Sequence, residues 1–462
     1  MRVEVLSAEI GSTTTVVSAF TGLNTGEPRF LGQGSAPTSV ESGDVRIGLE
    51  AAIESLKAGR GWGSLAWERF SASSSATGGL RMSVHGLVYD MTVKAAREAA
   101  LGAGANICNI TAGKMRPRDA ERMIASRPNI ILIAGGVDYG ERDTALYNGE
   151  LIAGALSAAG LRIPIIYAGN IENGDEIGEI FRARELVSTV VENVYPRIDE
   201  LVIEPTRYVI QQLFEEHIVN APGMEHIRDL VNGRIMPVPG AVMKAAQLLR
   251  QELGDLIVFD IGGATTDIHS VCSDTPEVSR MLIAPEPEAK RTVEGDLGLY
   301  VNRRQVMEQA ARELKLSLET NDEELRACIK ALPPMPKSDA EQRLARELAF
   351  HAGRLALERH AGRYRELYSL AGKQRYAEGK DLTGIGAVIG TGGSLSRLPG
   401  GEETLRRILA SGSGRELYPP PESRVLLDRD YIMAALGVLA EEYPAGATAL
   451  LCRSLGIEDE VQ

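Results

Sequence analysis

Two carboxylates, Glu9 and Asp260, stand at matching places in two short stretches of this chain. Val5–Phe20 and Leu256–Cys272 align at a constant offset of 251 residues, which sets Glu9 on Asp260, Gly11 on Gly262, Thr14 on Thr265 and Thr15 on Thr266. Each stretch is an apolar run, then an acid, a glycine turn and a pair of hydroxyls. Glycine lets the chain reverse tightly and brings backbone N–H groups close to an anion. An acid at the end of the preceding strand suits the divalent cation that accompanies phosphates. The expected phosphate contacts are Gly11, Ser12, Thr13 and Thr14 on one side and Gly262, Gly263, Ala264 and Thr265 on the other. Glu9 and Asp260 are the expected magnesium holders, and Asp267 the carboxylate that orients an attacking water. One acid-glycine turn is a common object, but two copies half a chain apart point to two similar lobes facing a shared cleft.

Strands must carry these turns. Leu256–Phe259 is continuous and partly β-branched, as a buried strand is, and Ala264–Ile268 leaves the turn as its partner. Val3–Leu6 and Val16–Phe20 form the first hairpin, Phe30–Ser35 adds a strand, and Val45–Leu56 reads as a helix. The run Ser73–Gly79 is either a flexible turn or a loop that touches ligand. From Leu80 to Val202 strands and helices alternate, which predicts a small α/β insertion with a mostly parallel sheet. Gly135-Gly136 and Gly169-Asn170 end two of its strands, and the insertion is the natural place for a partner surface or a sensing site. Glu204-Pro205 opens a helix, and acid-proline also occurs there for capping reasons. Asn302 to Gln374 reads as predominantly helical. His351 and His360, nine residues apart, fall on opposite helix faces and cannot chelate one metal. Ala387–Gly390 is a strand before a glycine loop, and the helix after Asp430 carries Ala434, Ala435 and Gly437. Its small residues predict a close crossing with helix Arg207–Phe214.

At 462 residues the chain exceeds a single core and divides into two or three domains. A net charge of −13 argues against a nucleic-acid backbone or an anionic membrane as partner. No apolar run reaches the roughly 18–20 residues that cross a bilayer, and the N-terminus lacks the pattern of a secretory signal. Cys108, Cys272, Cys328 and Cys452 are scattered with no Cys-x-x-Cys pair, the pattern of reduced thiols in a cytoplasmic protein.

Glu9-Ile-Gly-Ser-Thr-Thr-Thr15 and Asp260-Ile-Gly-Gly-Ala-Thr-Thr-Asp267 resemble the two phosphate motifs of the actin, Hsp70 and sugar-kinase superfamily. Gly390-Thr-Gly-Gly-Ser-Leu-Ser-Arg397 is similar to its adenosine motif. The wording of the whole chain resembles the glutamate mutase L family, the MutL-type proteins associated with adenosylcobalamin-dependent mutases and unrelated to the mismatch-repair protein of that name. Ser73–Asp90, Leu101–Ile107, Ile133–Gly140, Arg291–Leu299 and Arg359–Arg363 carry that likeness. The resemblance implies an α/β, two-lobed actin/Hsp70-like (ribonuclease H-like, duplicated) ATPase fold with the insertion in the first lobe. It implies a first lobe over 1–205, including the insertion at about 80–200, and a connecting segment over 206–255. A second lobe over 256–428, with a helical subdomain at about 302–374, is followed by a C-terminal helix over 429–462 that returns to the first lobe. Gly295, Asp296, Gly390, Gly392, Gly393 and Ser394 would border the adenosine, and Glu204 would position water and metal. ATP and Mg2+ are the implied cofactors, an adenosylcobalamin-dependent mutase the implied partner, and its reactivation by slow, nucleotide-driven lobe closure the implied activity. Glu9 departs from the superfamily's aspartate, and its extra methylene moves the carboxylate outward. The rival readings are a sugar- or acetate-type kinase, an actin-like filament protein and an iron–sulfur activator, the last disfavoured by the scattered cysteines.

Overall fold

A computed structural model describes residues 1–75, 80–218, 223–333, 335–369 and 372–457. Strands β1 (Arg2–Ile10), β2 (Thr14–Thr21) and β3 (Arg29–Pro37) form an antiparallel meander, and β4 (Ala66–Ser74) returns parallel to β1. Helix Val45–Arg60 makes that return. Asp44 caps it by accepting from the Arg46 N–H, Gly61 ends it at φ 66°, and Val45, Leu49, Ala52, Ile53 and Leu56 recur at helical spacing to bury one face. The chain then builds a separate sheet from β5 (Leu80–Gly86), β6 (Ala105–Ala112), β7 (Ile130–Ala134), β8 (Ile165–Tyr167) and β9 (Ser188–Val190). All five are parallel, in the order β6-β5-β7-β8-β9. Helix Glu204–His217 leads back to β10 (Ile235–Pro237), which joins β4 and completes the first lobe in the order β3-β2-β1-β4-β10.

The second lobe repeats this plan. β11 (Leu256–Ile261), β12 (Thr266–Val271) and β13 (Ala289–Glu294) form a meander. After the peripheral hairpin of β14 (Arg363–Ser369) and β15 (Gly372–Glu378) come β16 (Ala387–Thr391) and β17 (Arg424–Leu427), parallel to β11. The order β13-β12-β11-β16-β17 matches the first lobe strand for strand and sense for sense. This is the duplicated, two-lobed actin/Hsp70-like fold. The 251-residue offset in the sequence is therefore a structural repeat.

Between the two sheets lie helices Val238–Leu253 and Met433–Leu439, in a core that draws Val5 and Phe20 from one lobe and Leu256, Val258 and Ile389 from the other. A Cβ on Gly437 would stand 1.8 Å from the Ala241 carbonyl oxygen, so the two backbones touch. The small-residue stripe does mark a close crossing, but the partner is helix Val238–Leu253 and not Arg207–Phe214. The chain that enters the central hairpin passes between the lobes, whereas the Arg207 helix packs on the insertion's helix Lys94–Gly102.

Two further expectations change. Helix Asp339–His360 ends where the sequence reading continued it to 374, and Arg363–Glu378 is a hairpin. Its composition suits a helix, but the register sets Arg363 opposite Glu378, lets Arg365 bond Glu378 on the diagonal and stacks Arg375 3.4 Å above the Tyr364 ring, contacts a strand pair provides. The insertion, inserted in the first lobe, also binds the second. Lys94 donates to Glu286 at 2.6 Å, and helix Lys94–Gly102 packs along β13. Among the described residues no helix is long and apolar enough to cross a membrane.

Candidate functional site

The two turns have one geometry. Gly11 N–H donates to the Thr14 carbonyl at 3.0 Å, and Gly262 N–H to the Thr265 carbonyl at 2.9 Å. The following segment clamps each turn from outside. Thr38 donates through its N–H to the Thr13 carbonyl and through its hydroxyl to the Gly11 carbonyl; Leu299, Tyr300 and Val301 donate to the carbonyls of Gly262 and Gly263. Asn302 Nδ2 takes the Ala264 carbonyl at 3.0 Å. With the carbonyls held on that side, the N–H groups of Ser12, Thr13, Gly263 and Ala264 have no protein acceptor among the described residues. Those four donors, with two nearby carboxylates, are a set that fits a phosphate chain and its cation.

Both acids lie in this cleft and neither is relaxed. Burial lifts the Glu9 carboxyl to about 7, against the bond it accepts from the Tyr431 hydroxyl at 2.7 Å. Asp260 is pushed well above the carboxylate range, first by burial and then by the charges of Asp267 and Glu9. Tyr431 is raised in turn by burial, Glu9 and Asp260. Acids crowded in this way gain most from a cation. Gly392 crosses directly over the second acid: at φ 88°, a Cβ there would meet Asp260 Oδ1 at 2.8 Å and the Ile261 carbonyl oxygen at 2.5 Å. Only glycine permits that approach.

Asp267 is buried and engaged. Arg291, 1% exposed, donates to its Oδ1 through Nε at 2.9 Å and Nη2 at 2.6 Å, and Thr265 Oγ1 donates to its Oδ2 at 2.8 Å. The remaining Arg291 nitrogen reaches into the insertion, to the carbonyls of Leu101 at 3.2 Å and Ala105 at 2.9 Å.

The sequence signature of the family described as MutL protein matches residues 5–455. Protein MutL of Clostridium tetanomorphum is 36% identical over 469 residues, 97% of this chain and 98% of that relative. The chain belongs to the MutL family. Solved structures similar to this MutL-family chain include a diol dehydratase-reactivating factor in nucleotide-free form, at 13% identity, TM-score 0.37 and coverage of 96% of this chain and 100% of the other. A glycerol dehydratase reactivase follows at 11% identity and TM-score 0.36, covering 95% and 100%.

Of the site residues read from the MutL-type sequence, Glu9, Asp260, Asp267, both turns and Gly392-Gly393 meet in this cleft. Others do not. Glu204 opens helix Glu204–His217 and pairs with Arg207, whose guanidinium also bonds the Ala289 carbonyl. Ala289 pairs with Val271, at the end of β12–β13 opposite the Thr266–Glu294 pair beside the turn. Five residues of strand, roughly 16 Å, separate those ends, so Glu204 borders a different cleft. Ser394 donates its hydroxyl to the Ile261 carbonyl at 2.8 Å, which commits its proton within the protein. Gly390 is a strand residue in the core, where a Cβ would strike Leu405, Leu427 and Leu395. Gly295 and Asp296 follow β13 beside the second turn. Asp296 is held by Arg359 at 2.7 and 3.0 Å, and Asn302 Nδ2 takes the Gly295 carbonyl at 2.6 Å. Within Ser73–Gly79, positions 76–79 lie outside the described residues; Ser75 N–H donates to the Ile10 carbonyl beside the first turn.

Tyr431, Arg397 and Arg291 are the residues that sequence reading missed. Arg397 lies over the Tyr431 ring at 4.9 Å and bonds Gln33 of β3. Tyr431 itself has φ 53°, an uncommon conformation for a tyrosine, and this aims its hydroxyl at Glu9.

Proposed function

We propose that this chain is an ATP-binding reactivating chaperone for an adenosylcobalamin-dependent mutase or aminomutase, and that nucleotide state sets how far the lobes close. The observation that carries the reading is the pair of superposable acid-tipped turns in one cleft, with Tyr431 coupled to both acids. The mutase as partner rests on the likeness to MutL-type proteins associated with adenosylcobalamin-dependent mutases. In this reading 1–205 and 429–462, joined by β10, act as one lobe, 256–428 as the other, and the rest of 206–255 as the connection, in a cytoplasmic protein.

Ser12, Thr13, Gly263 and Ala264 would donate N–H groups to the phosphates, with the Ser12 and Thr13 hydroxyls beside them. Glu9 and Asp260 would hold magnesium chiefly through its waters, and the cation's charge would bring both acids back to their ionised forms. Magnesium, when bound, supplies charge neutralisation at the phosphates. Gly393, with open space where its side chain would stand, leaves room for a flat base, while Gly392 makes way for Asp260. Asp267, tied to Arg291, positions the second turn through Thr265 and does not itself take a proton from water. With Glu204 at the other end of the sheet, no free carboxylate stands ready as a general base among the residues assigned here, and slow turnover follows. A slow site suits a switch in which closure, not chemistry, does the mechanical task.

The test is a mutase stalled with hydroxocobalamin and supplied with adenosylcobalamin. Wild-type chain with ATP and Mg2+ should restore turnover, and Asp260→Ala should not. If wild type restores nothing, or Asp260→Ala restores as much, the reading is wrong.

A further inference from the structure

In the insertion all five strands are parallel, so the segments that follow them emerge at one rim. That rim exposes Val88 and Tyr89 after β5, Tyr139 after β7, Ile171 after β8, and Val190 and Ile198 at and after β9, each between 44% and 78% exposed. Elsewhere exposed large apolar side chains stand on separate elements, as Ile47, Leu316 and Met335 do. A cluster built from four separate loops is not an accident of one amphipathic segment.

The loops are also held out at a cost. Tyr139, 78% exposed, sits at φ 62°, a conformation that disfavours an aromatic residue. What keeps it there is Asn170, which is fully buried. Its Oδ1 accepts from the N–H of Tyr139 and of Glu172, both at 3.1 Å, and its amide donates to the Gly140 and Glu141 carbonyls at 3.4 Å. Asp138 Oδ1 accepts from the Ile171 N–H at 3.0 Å and from Asn193 at 2.9 Å. Buried polar side chains are thus spent on fixing loop tips that bury nothing within this chain. Such pre-organisation lowers the entropy cost of binding.

Charge around the rim decides the occupant. Three of its arginines are neutralised locally, Arg116 by Asp119, Arg142 by Glu176 and Arg197 by Glu200, and Lys114 rests on the Tyr147 ring. Arg118 is exposed with no ion pair among the described residues, and so are Asp90, Asp143, Glu172, Asp175 and Glu192. The free acids outnumber the free cations, and the patch is apolar with a net negative fringe.

We propose that this rim is the docking surface for a partner protein that presents an apolar protrusion flanked by lysines or arginines. The proposal rests on the chaperone reading and adds where the mutase is held. The same sheet joins the rim to the cleft. β5 and β6 start at Leu80 and Ala105, a pair in register, and Ala105 is bonded to Arg291, which holds Asp267. The rim is the other end of those strands, seven residues or roughly 20 Å away. A shift of the second turn therefore reaches the partner through one rigid element.

The test titrates purified adenosylcobalamin-dependent mutase with full-length wild type, with the Tyr139→Glu/Ile171→Glu double variant and with Glu172→Lys/Glu192→Lys, by calorimetry at low salt. Thermal midpoint and ATP affinity serve as folding controls. The apolar variant should bind the mutase at least about 30-fold more weakly with both controls unchanged, as when central interface anchors are lost. The charge variant should bind about 3- to 10-fold more weakly and lose most of its salt dependence. If the apolar variant binds like wild type, the rim is refuted and the chaperone reading stands. If wild type forms no complex with the mutase, both fall. If wild type self-associates in sedimentation and the variant does not, the occupant is a second copy and the proposal is overturned. Tighter binding by the charge variant refutes the basic partner.

Discussion

Replacing Arg291 with methionine tests the link between the second turn and the insertion. Arg291 is 1% exposed and Asp267 4%, so the change strips a buried carboxylate of its cation. It also takes a donor from the carbonyls of Leu101, which keeps the Gly104 N–H at 2.9 Å, and of Ala105. A buried charge left without its partner costs about 3–5 kcal/mol, and the lost bond to Ala105 about 1 kcal/mol more. The expected loss is about 4–6 kcal/mol, a large share of the whole stability of an ordinary domain. Asp267→Asn in the same chain removes the stranded charge, so the double variant should be at least about 2 kcal/mol more stable than the sum of the two single losses predicts. Urea unfolding followed by circular dichroism measures both. Hydrogen exchange localises the effect: amides of Ala105–Ala112 should lose protection while those of β2 keep theirs. A loss under about 1.5 kcal/mol, or strict additivity, would refute the claim that one guanidinium carries this junction.

Three other outcomes are expected. Glu9 holds its proton up to about 7 in the folded chain against 4.5 in its ordinary state, so its contribution to stability is complete below about pH 4.5 and lost as pH rises through 7; thermal midpoints of the nucleotide-free protein should fall between pH 5 and 7.5, and Glu9→Gln should flatten that slope. Gly437→Ala forces apart the two helices whose backbones touch at Ala241 and should cost about 2–4 kcal/mol in denaturant unfolding; a wild-type midpoint would contradict the crossing. Gly392→Ala collides with Asp260 at a positive φ and should weaken Mg·ATP binding at least about tenfold in calorimetry, with the far-ultraviolet spectrum unchanged.

The acid-glycine turns were readable in the sequence because their geometry is local: Gly11 and Gly262 bond three residues ahead within their own turns. Helix Val45–Arg60 was readable for the same reason, with its cap, apolar face and terminal glycine contiguous. β9 and β10, three residues each, exist because neighbouring strands offer free edges, and no pattern that short announces itself. Glu204 misled because an acid before proline at a helix start looks alike whether it serves a ligand or only the helix. Tyr431 and Arg291 were invisible because their roles are set by partners 422 and 190 positions away. Local chemistry makes the acid-glycine turns legible, and only topology shows what holds them.

An insertion rooted at both ends in one lobe, yet bonded along its flank to the other, makes a third fastening beyond the two crossing helices. Two fastenings define an axis about which the halves of a molecule swing; a third, off that axis, opposes the swing. In the closure proposed above, the bonds from Lys94 to Glu286 and from Arg291 to Leu101 and Ala105 would have to break or carry the insertion along. The travel open to such a motion would then be set less by the crossing helices than by how firmly a side branch grips the opposite half.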